Sequence, residues 1–389
     1  MQKTPKIILM LDSSRAADRG MIRGIMDYAT QRGSWSFYRH SPLFLKAPFS
    51  PSNQDDLLAR LRSLDADGII GYLPSSRTIQ QLLIQHRFPA VTIPLKKLIP
   101  GIVNVLQDPA IGALGAKYLR DLGFEHFAFC GQDNYWSQVR QEGFTDYLKT
   151  FQIRPLLFCD TVSRTSIETR QQRLCQWLQS LPKPIGIMTC NDEKSMELVE
   201  ACREAGLHIP NEIAILGVDN DEMICGLSHP PLSSIELNFQ QVGYKAAETL
   251  DLMIYRKKEK YDDLIFRPMG IVTRQSTDIR AIHDEDVAEA IRFIHNNAKR
   301  DIRVEDVVNA TAISVRSLQL RFKKIVGRGI SQHIRMIRIQ QLAHQIIHSN
   351  QPISIIAREL DFHDINHVSR IFRREMGISP LEYRKKFRL

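Results

Sequence analysis

The sequence predicts an α/β protein of two lobes in series, followed by an all-α segment. Three observations predict it. Strand-like and helix-like runs alternate through roughly the first 275 residues, and the alternation restarts at Phe127. Two short helix–turn–helix patterns recur about fifty residues apart near the carboxyl end. The net basic excess is confined to that same end: residues 290–389 carry 19 Lys and Arg against 8 Asp and Glu, while the whole chain nets +9. Residues 1–289 therefore net about −2. An alternation of strand, crossover helix and parallel strand builds a sheet with helices on its faces. Two such lobes leave a cleft between them, and clefts between lobes favour ligands.

The elements follow in order. Lys6 to Leu11 reads as a buried strand, and Arg19 to Gln31 as a helix with Met21, Ile22, Ile25, Met26 and Ala29 on its apolar side. Trp35 to Tyr38 is a strand, and Gln54 to Leu64 a helix. Gly68 to Tyr72 is a strand, Ile79 to His86 a helix, and Ala90 to Ile93 a strand. Val103 to Val105 precedes Asp108, and Ala110 to Leu122 is a helix ending at Gly123. The second series runs through Phe127 to Gly131, Leu156 to Phe158, Ile185 to Met188 and Ala214 to Val218.

In the tail, Val304 to Ala310 is a short amphipathic helix and Thr311-Ala312-Ile313 a tight connection. Ser314 caps the next helix, whose stripe is Leu318, Phe322 and Ile325, with Gly327 as its stop. Ser331 to Ser349 reads as one continuous helix, roughly 27 Å long at about 1.5 Å per residue. The pattern then repeats. Ile353 to Leu360 is a short helix, Asp361-Phe362-His363 a turn, and Asp364 the cap of a helix with Val368, Ile371 and Phe372 inside and Gly377 at its end. Two helices joined by a three- to four-residue turn form a helix-turn-helix, whose second helix enters a DNA major groove. The connecting helix is near the ~34 Å that separates successive major-groove faces, so one chain can place two recognition helices one turn apart. The local basic excess suits a phosphate-backbone binder.

Other classes find little footing. No apolar stretch is long enough to span a bilayer. Residues 1–10 read as a first strand rather than a signal peptide, so a cytoplasmic location is expected. The six cysteines show no C-x-x-C pair and no metal spacing. Phosphate-loop, dinucleotide, nucleophile-elbow and zinc-protease motifs are all missing, so neither an enzyme nor a cofactor is expected. Asp219, Asp221 and Glu222 lack the glycine and distal Glu of a calcium loop, and no metal is expected.

Residues 287–389 resemble the double helix-turn-helix domain of the AraC/XylS regulators. The resemblance is carried above all by Phe372-Arg373-Arg374-Glu375-Met376-Gly377-Ile378-Ser379-Pro380-Leu381-Glu382-Tyr383-Arg384. Two positions depart from that family. Asp361 stands where Gly is usual, and Asp tolerates the left-handed backbone region better than most residues. Val368 stands where Phe is usual and stays apolar. Residues 5–275 resemble LacI/GalR effector domains and periplasmic sugar-binding proteins. The carrying segments are Tyr118 to Phe129, Arg140 with Gly143-Phe144, Asn191-Asp192, Gly217-Val218-Asp219-Asn220-Asp221 and Pro230-Pro231-Leu232-Ser233-Ser234-Ile235.

The resemblances imply a LacI-like, periplasmic-binding-protein-like effector domain over 1–276, a linker over 277–286 and an AraC-type domain over 287–389. Together they imply a sugar-responsive transcription regulator, an activator of a sugar-catabolism operon. Its expected partners are double-stranded operator DNA, a sugar effector such as D-xylose, RNA polymerase and a second copy of itself, with no membrane. A sugar-binding or transport protein is the rival reading, opposed by the basic tail. A regulator answering to another sugar is a further alternative.

A sugar-reading cleft needs carboxylates, Arg and Asn for the hydroxyls and an aromatic face for the C–H side. Asp108, Arg140, Asn191 and Asp219 lie at strand ends or loop starts, and the resemblance places them at sugar-contacting positions. Helix capping is the alternative for Asp108, Asn191 and Asp219, and a surface ion pair for Arg140. Phe239 either packs on the ring or in the core. Tyr135-Trp136 offers an aromatic wall, and Asp12, Ser13 and Ser14 end the first strand toward the same cleft. On the DNA side, Arg316 and Gln319 are expected in the first groove, and Asn366, His367 and Arg370 in the second. Arg pairs with guanine, and Asn or Gln with adenine. A buried or capping role is the alternative for His367. Arg321, Lys323, Lys324, Arg373 and Arg374 are expected on phosphates, which position without specifying.

Overall fold

The computed structural model describes residues 4–33, 35–39, 63–73, 81, 83–95, 97–160, 166–256, 261–278, 284–326, 328–349, 351–362 and 364–387. It divides into two compact units, Met1–Thr277 and Asp278–Leu389.

The first unit holds two six-stranded sheets. The amino-terminal lobe contains β1 (Lys6–Met10), β2 (Ser36–Arg39), β3 (Gly68–Gly71), β4 (Ala90–Thr92) and β5 (Val103–Gln107), with α1 (Ala16–Arg32). The chain then crosses to the second lobe. There it forms α2 (Ala110–Asp121), β6 (His126–Gln132), α3 (Tyr135–Lys149), β7 (Leu156–Asp160), α4 (Ile167–Ser180), β8 (Ile185–Thr189), α5 (Asp192–Glu204), β9 (Ile213–Val218), α6 (Glu222–Leu227) and β10 (Ser233–Leu237). It returns for α7 (Phe239–Arg256) and β11 (Leu264–Phe266), then crosses once more to β12 (Pro268–Val272). The first sheet is ordered β11-β5-β4-β3-β1-β2 and is wholly parallel. The second is ordered β12-β10-β9-β8-β6-β7, and only β12 runs antiparallel.

Parallel strands covered on both faces read as continuous apolar runs. Ile213-Ala214-Ile215-Leu216-Gly217-Val218 is buried throughout, as is Gly68–Gly71. The strands foreseen from such runs are present within one or two residues of their expected ends. Most of the helix expected over Gln54–Leu64 lies outside the described residues, as does part of the one over Ile79–His86.

Three crossovers join the lobes, after β5, after β10 and after β11, and they are stitched together. The Asp108 N–H donates to Phe266 C=O at 3.1 Å, and Asn238 N–H to Arg267 C=O at 3.2 Å. Asn238 Oδ1 accepts from Arg267 N–H at 2.6 Å. The hinge between the lobes is therefore a hydrogen-bonded bundle of three strands rather than three loose loops.

The second unit is helical: α8 (Glu285–Asn296), α9 (Val304–Asn309), α10 (Val315–Val326), α11 (Ile330–His348), α12 (Ile353–Glu359), α13 (Ile365–Met376) and α14 (Pro380–Phe387). It has two apolar cores, and each takes its own half of α11. Ile330, Ile334 and Ile337 join Leu318, Phe322 and Val326 in the first. Ile339, Leu342, Ala343 and Ile346 join Val368, Phe372 and Tyr383 in the second. Ile325 and Ile371, expected in the stripes, pack half-buried against these cores. Gly327 and His363 lie outside the described residues.

Candidate functional site

A cavity of about 550 Å³, measured out to its open mouth, lies between the lobes of the first unit. Arg15, Tyr72, Ile93, Gln107 and Phe266 line it from the first lobe, and Trp136, Arg140, Asn191, Asp192, Asp219 and Asp221 from the second. Phe239, at the hinge, closes the floor edge-on to Phe266 with ring centroids 5.2 Å apart.

Arg140 stands at the centre and is only 3% exposed. Its position is set by the close pairing of α2 with α3: a Cβ on Gly112 would fall 1.9 Å from the Arg140 carbonyl oxygen, and one on Gly143 1.9 Å from that of Pro109. Its Nε and Nη2 donate to Gln107 Oε1 at 3.2 and 3.1 Å, and its Nη1 to the Cys190 carbonyl. Nη2 also lies 3.1 Å from Asp219 Oδ1 as an ion pair. The guanidinium stacks over Trp136 at 5.1 Å from the ring centre. The cation is thus fixed from several sides and held flat against an aromatic face.

Asp219 follows β9 with φ +105, and Asn220 follows at φ +50. Such backbone persists only when its surroundings hold it. Here Asp219 N–H bonds to Ile235 C=O at 2.8 Å, and Arg274 Nη2 donates to Asn220 Oδ1 at 2.8 Å. Burial pushes the Asp219 carboxyl up to about 6, although Arg140 pulls against it. Asp192 is pushed further, to about 8, by burial and then by the neighbouring Asp219 charge. It accepts from Ser234 Oγ at 2.6 Å and from Asp221 N–H at 2.7 Å. Room for it depends on Gly217, where a Cβ would sit 2.1 Å from Asp192 Oδ1. Asn191 caps α5 by accepting from Lys194 N–H at 3.0 Å, and it lines the cavity as well. Capping and lining are therefore compatible roles for one residue.

The lobes are tied across the cavity mouth. Arg15 pairs with Glu193 at 3.1 Å and Arg19 with Asp221 at 2.7 Å, and Tyr135 N–H donates to Leu95 C=O at 2.8 Å.

Of the residues singled out in the sequence, Arg140, Asn191, Asp219, Phe239 and Trp136 converge on this cavity. Asp108 and Ser13 are not among its lining residues. Asp108 accepts from Ala110 N–H at 2.9 Å at the start of α2 and lies 3.8 Å from Arg267 in the hinge. Ser13 is exposed, and its Oγ accepts from Arg39 at 3.4 Å. Gln107, Asp192, Tyr72 and Phe266 were missed. Asp192 falls in the Asn191-Asp192 segment but reads there as a helix-start acid; the other three carry no motif, and the available signal is position: Gln107 and Phe266 are the last residues of adjacent parallel strands.

In the second unit, Arg316, Gln319, Lys323 and Lys324 are exposed on α10. Leu320 is 65% exposed between them, an apolar side chain suited to a thymine methyl. Ser314 Oγ accepts from Ser317 N–H at 3.4 Å. The Arg321 guanidinium lies 3.2 Å from both Asp284 and Asp286. On α13, His367, Arg370, Arg373 and Arg374 are exposed, with Arg374 3.1 Å from Glu375. Asp364 caps this helix by accepting from His367 N–H at 3.0 Å. The side chain of Asn366 lies outside the described set.

Comparisons with known proteins agree with this architecture. A periplasmic binding protein-like domain model matches residues 116–277, and a helix-turn-helix domain model matches residues 307–386. The chain is a sugar-responsive, DNA-binding transcription regulator, a sensor domain joined to a reader, and not an enzyme. Over its full length it is similar to the xylose operon regulatory protein of Escherichia coli, at 24% identity covering 98% of this chain and 97% of that one. The Haemophilus influenzae protein of the same name is 26% identical, covering 97% and 98%. Among solved structures, the xylose-binding transcription activator xylR matches with a TM-score of 0.59 and 23% identity over 100% of both chains. A LacI family regulator from Enterococcus faecium with bound ribose matches at 0.56 and 23% identity, covering 71% of this chain and 98% of that one.

Proposed function

We propose that the interlobe cavity binds a small neutral sugar, D-xylose or a closely related pentose, and that the chain is a cytoplasmic transcription activator working as a homodimer. The observation that carries this is the lining. Arg140, Gln107, Asn191 and the Asp192/Asp219 pair offer donors and acceptors at close quarters, with Trp136 and Phe239 as apolar faces. Polar groups fixed in advance can read hydroxyls without paying for reorganisation. The full-length relatives are named for xylose, which directs the choice of sugar.

In this reading Arg140 and Asp219 contact the ligand, Asn191 assists while capping α5, and Asp108 and Ser13 act at the hinge and rim. Residues 1–276 form the sensor, 277–286 the linker and 287–389 the reader. Arg316 and Gln319 read one half-site, and Asn366, His367 and Arg370 the next. Lys323, Lys324, Arg373 and Arg374 hold phosphates. Ligand shifts the sensor toward closed lobes by its differential affinity for that form, and the paired readers then engage adjacent half-sites beside RNA polymerase.

The test is calorimetry of the full chain against D-xylose, L-arabinose, D-ribose and D-glucose, with gel-shift titration on promoter DNA. Tight binding of one pentose, together with a sugar-dependent change in operator affinity, is expected. Saturating sugar that leaves both operator affinity and half-site preference unchanged overturns the reading.

A further inference from the structure

Arg338 lies on α11 between Ile337, which belongs to the first core of the reader, and Ile339, which belongs to the second. It is 7% exposed. Its Nη1 pairs with the Asp301 carboxylate. Its Nη2 donates to the Leu360 and Asp361 carbonyls, both at 2.9 Å, and its guanidinium lies 4.2 Å from the centre of the Phe362 ring. The Asp361 side chain completes the circuit, accepting from Asp301 N–H at 3.0 Å through Oδ2. Asp301 precedes α9, the first helix of the first helix-turn-helix. Leu360, Asp361 and Phe362 form the turn of the second.

Asp361 contributes to the cluster with its backbone and its side chain alike. Its φ is +58, the backbone that the turn demands and that glycine supplies most easily. Asp adopts it and adds a carboxylate that glycine lacks. That carboxylate reaches sixty positions back along the sequence, to the other helix-turn-helix.

We infer that the Asp301–Arg338–Asp361 cluster is a strap that fixes the angle between the two recognition helices and so selects the spacing of half-sites the chain reads. The inference rests on the DNA-binding reading above. Two cores strung on one helix depend for their relative angle on the stiffness of that helix and on whatever braces it. Inserting one base pair between half-sites rotates the far one by about 35°. A strapped pair must distort the duplex to follow, whereas a loosened pair adjusts itself.

The experiment uses the full chain and a duplex selected from a random pool by the wild type. Derivatives carry one base pair inserted or removed between the two protected half-sites, and a further duplex keeps one half-site alone. Wild type should lose about tenfold or more in affinity on each spacing change. Asp361→Gly, which suits the backbone, should lose less than about threefold, with single-half-site affinity and melting temperature unchanged. Asp361→Asn keeps an acceptor oxygen and should restore the wild-type preference. Asp361→Gly with an unaltered spacing preference, or a wild type indifferent to spacing, overturns the strap. A wild type that selects no duplex overturns the DNA-binding reading, and this inference with it.

Discussion

Arg19 of the first lobe reaches Asp221 of the second at 2.7 Å, and each has further partners on its own side. Arg19 also donates to the Ser13 and Ser14 carbonyls, which holds the β1–α1 loop. Asp221 caps α6 by accepting from Met223 N–H at 3.2 Å, and gives its own N–H to Asp192. A tie anchored at both ends biases the lobes toward closure.

Arg19→Ala should therefore lower the population of the closed form and weaken sugar binding. Arg19 is 29% exposed and Asp221 5%, so solvent screens part of the interaction. A loss of about 1 kcal/mol, roughly fivefold in Kd, is expected by calorimetry. An unchanged affinity would mean that the pair only decorates the rim.

Three buried carboxyls of the first unit have raised pKa values. Asp192 is near 8, Asp219 near 6 and Asp18 near 6, with burial the leading cause in each. A carboxyl whose folded pKa lies above its unfolded value binds more protons in the folded state. Its contribution to stability then falls as pH rises between the two values. The melting temperature of the first unit should drop between pH 5 and pH 8.5 on their account. Asp192→Asn, which resembles the protonated acid, should flatten the upper part of that slope, from about pH 6 to 8.5. A wild-type melting curve that rises across this window, or an Asp192→Asn curve parallel to wild type, would count against the assignment.

The parts legible in the sequence were those written in short-range pattern. Apolar runs such as Ile213–Val218 announce buried parallel strands, and the Asp364 cap with its Val368–Phe372 stripe announces a recognition helix. Asp361 was legible as a left-handed turn residue, and it has that backbone. The rest depends on partners far apart in the chain. Nothing near Gln107 says that it will meet Arg140, 33 residues on. Asp108 looks like any strand-end carboxylate until the β11 crossover is laid beside it. Asp192 reads as an ordinary first-turn acid of a helix, and its proton affinity arises from burial against Ser234 and Asp219, which local sequence does not encode. Arg321 looked like one more phosphate ligand because Asp284 and Asp286 belong to a different helix start.

The two recognition helices expose different side chains, so their half-sites should differ in sequence. Arg316→Ala should relax preference at one or two base pairs of one half-site, at about 1–3 kcal/mol. Arg370→Ala should do the same in the other half-site. The helices pack on separate cores, so the double variant should be close to additive. Competition against a panel of singly substituted duplexes measures this. If both variants relaxed the same positions, or weakened every duplex equally, neither residue would be a base reader.

Arg321 and Lys324 lie within one turn of each other on α10, yet they should behave differently toward salt. Each phosphate contact adds about 0.9 to the slope of log K against log salt, because a condensed counterion is released on binding. Lys323 and Lys324 are exposed at the end of α10, and replacing either by Ala should lower the slope by about that amount. Arg321 already has Asp284 and Asp286 at 3.2 Å. Moving it to a phosphate would strip two carboxylates of their cation close to a polyanion, so the pair should survive on DNA. Arg321→Ala should thus change the slope by much less than Lys324→Ala, while Asp284→Asn with Asp286→Asn should raise it by freeing the guanidinium. Filter binding between 50 and 200 mM salt resolves these cases, and equal slopes for Arg321→Ala and Lys324→Ala would place Arg321 on the DNA backbone after all.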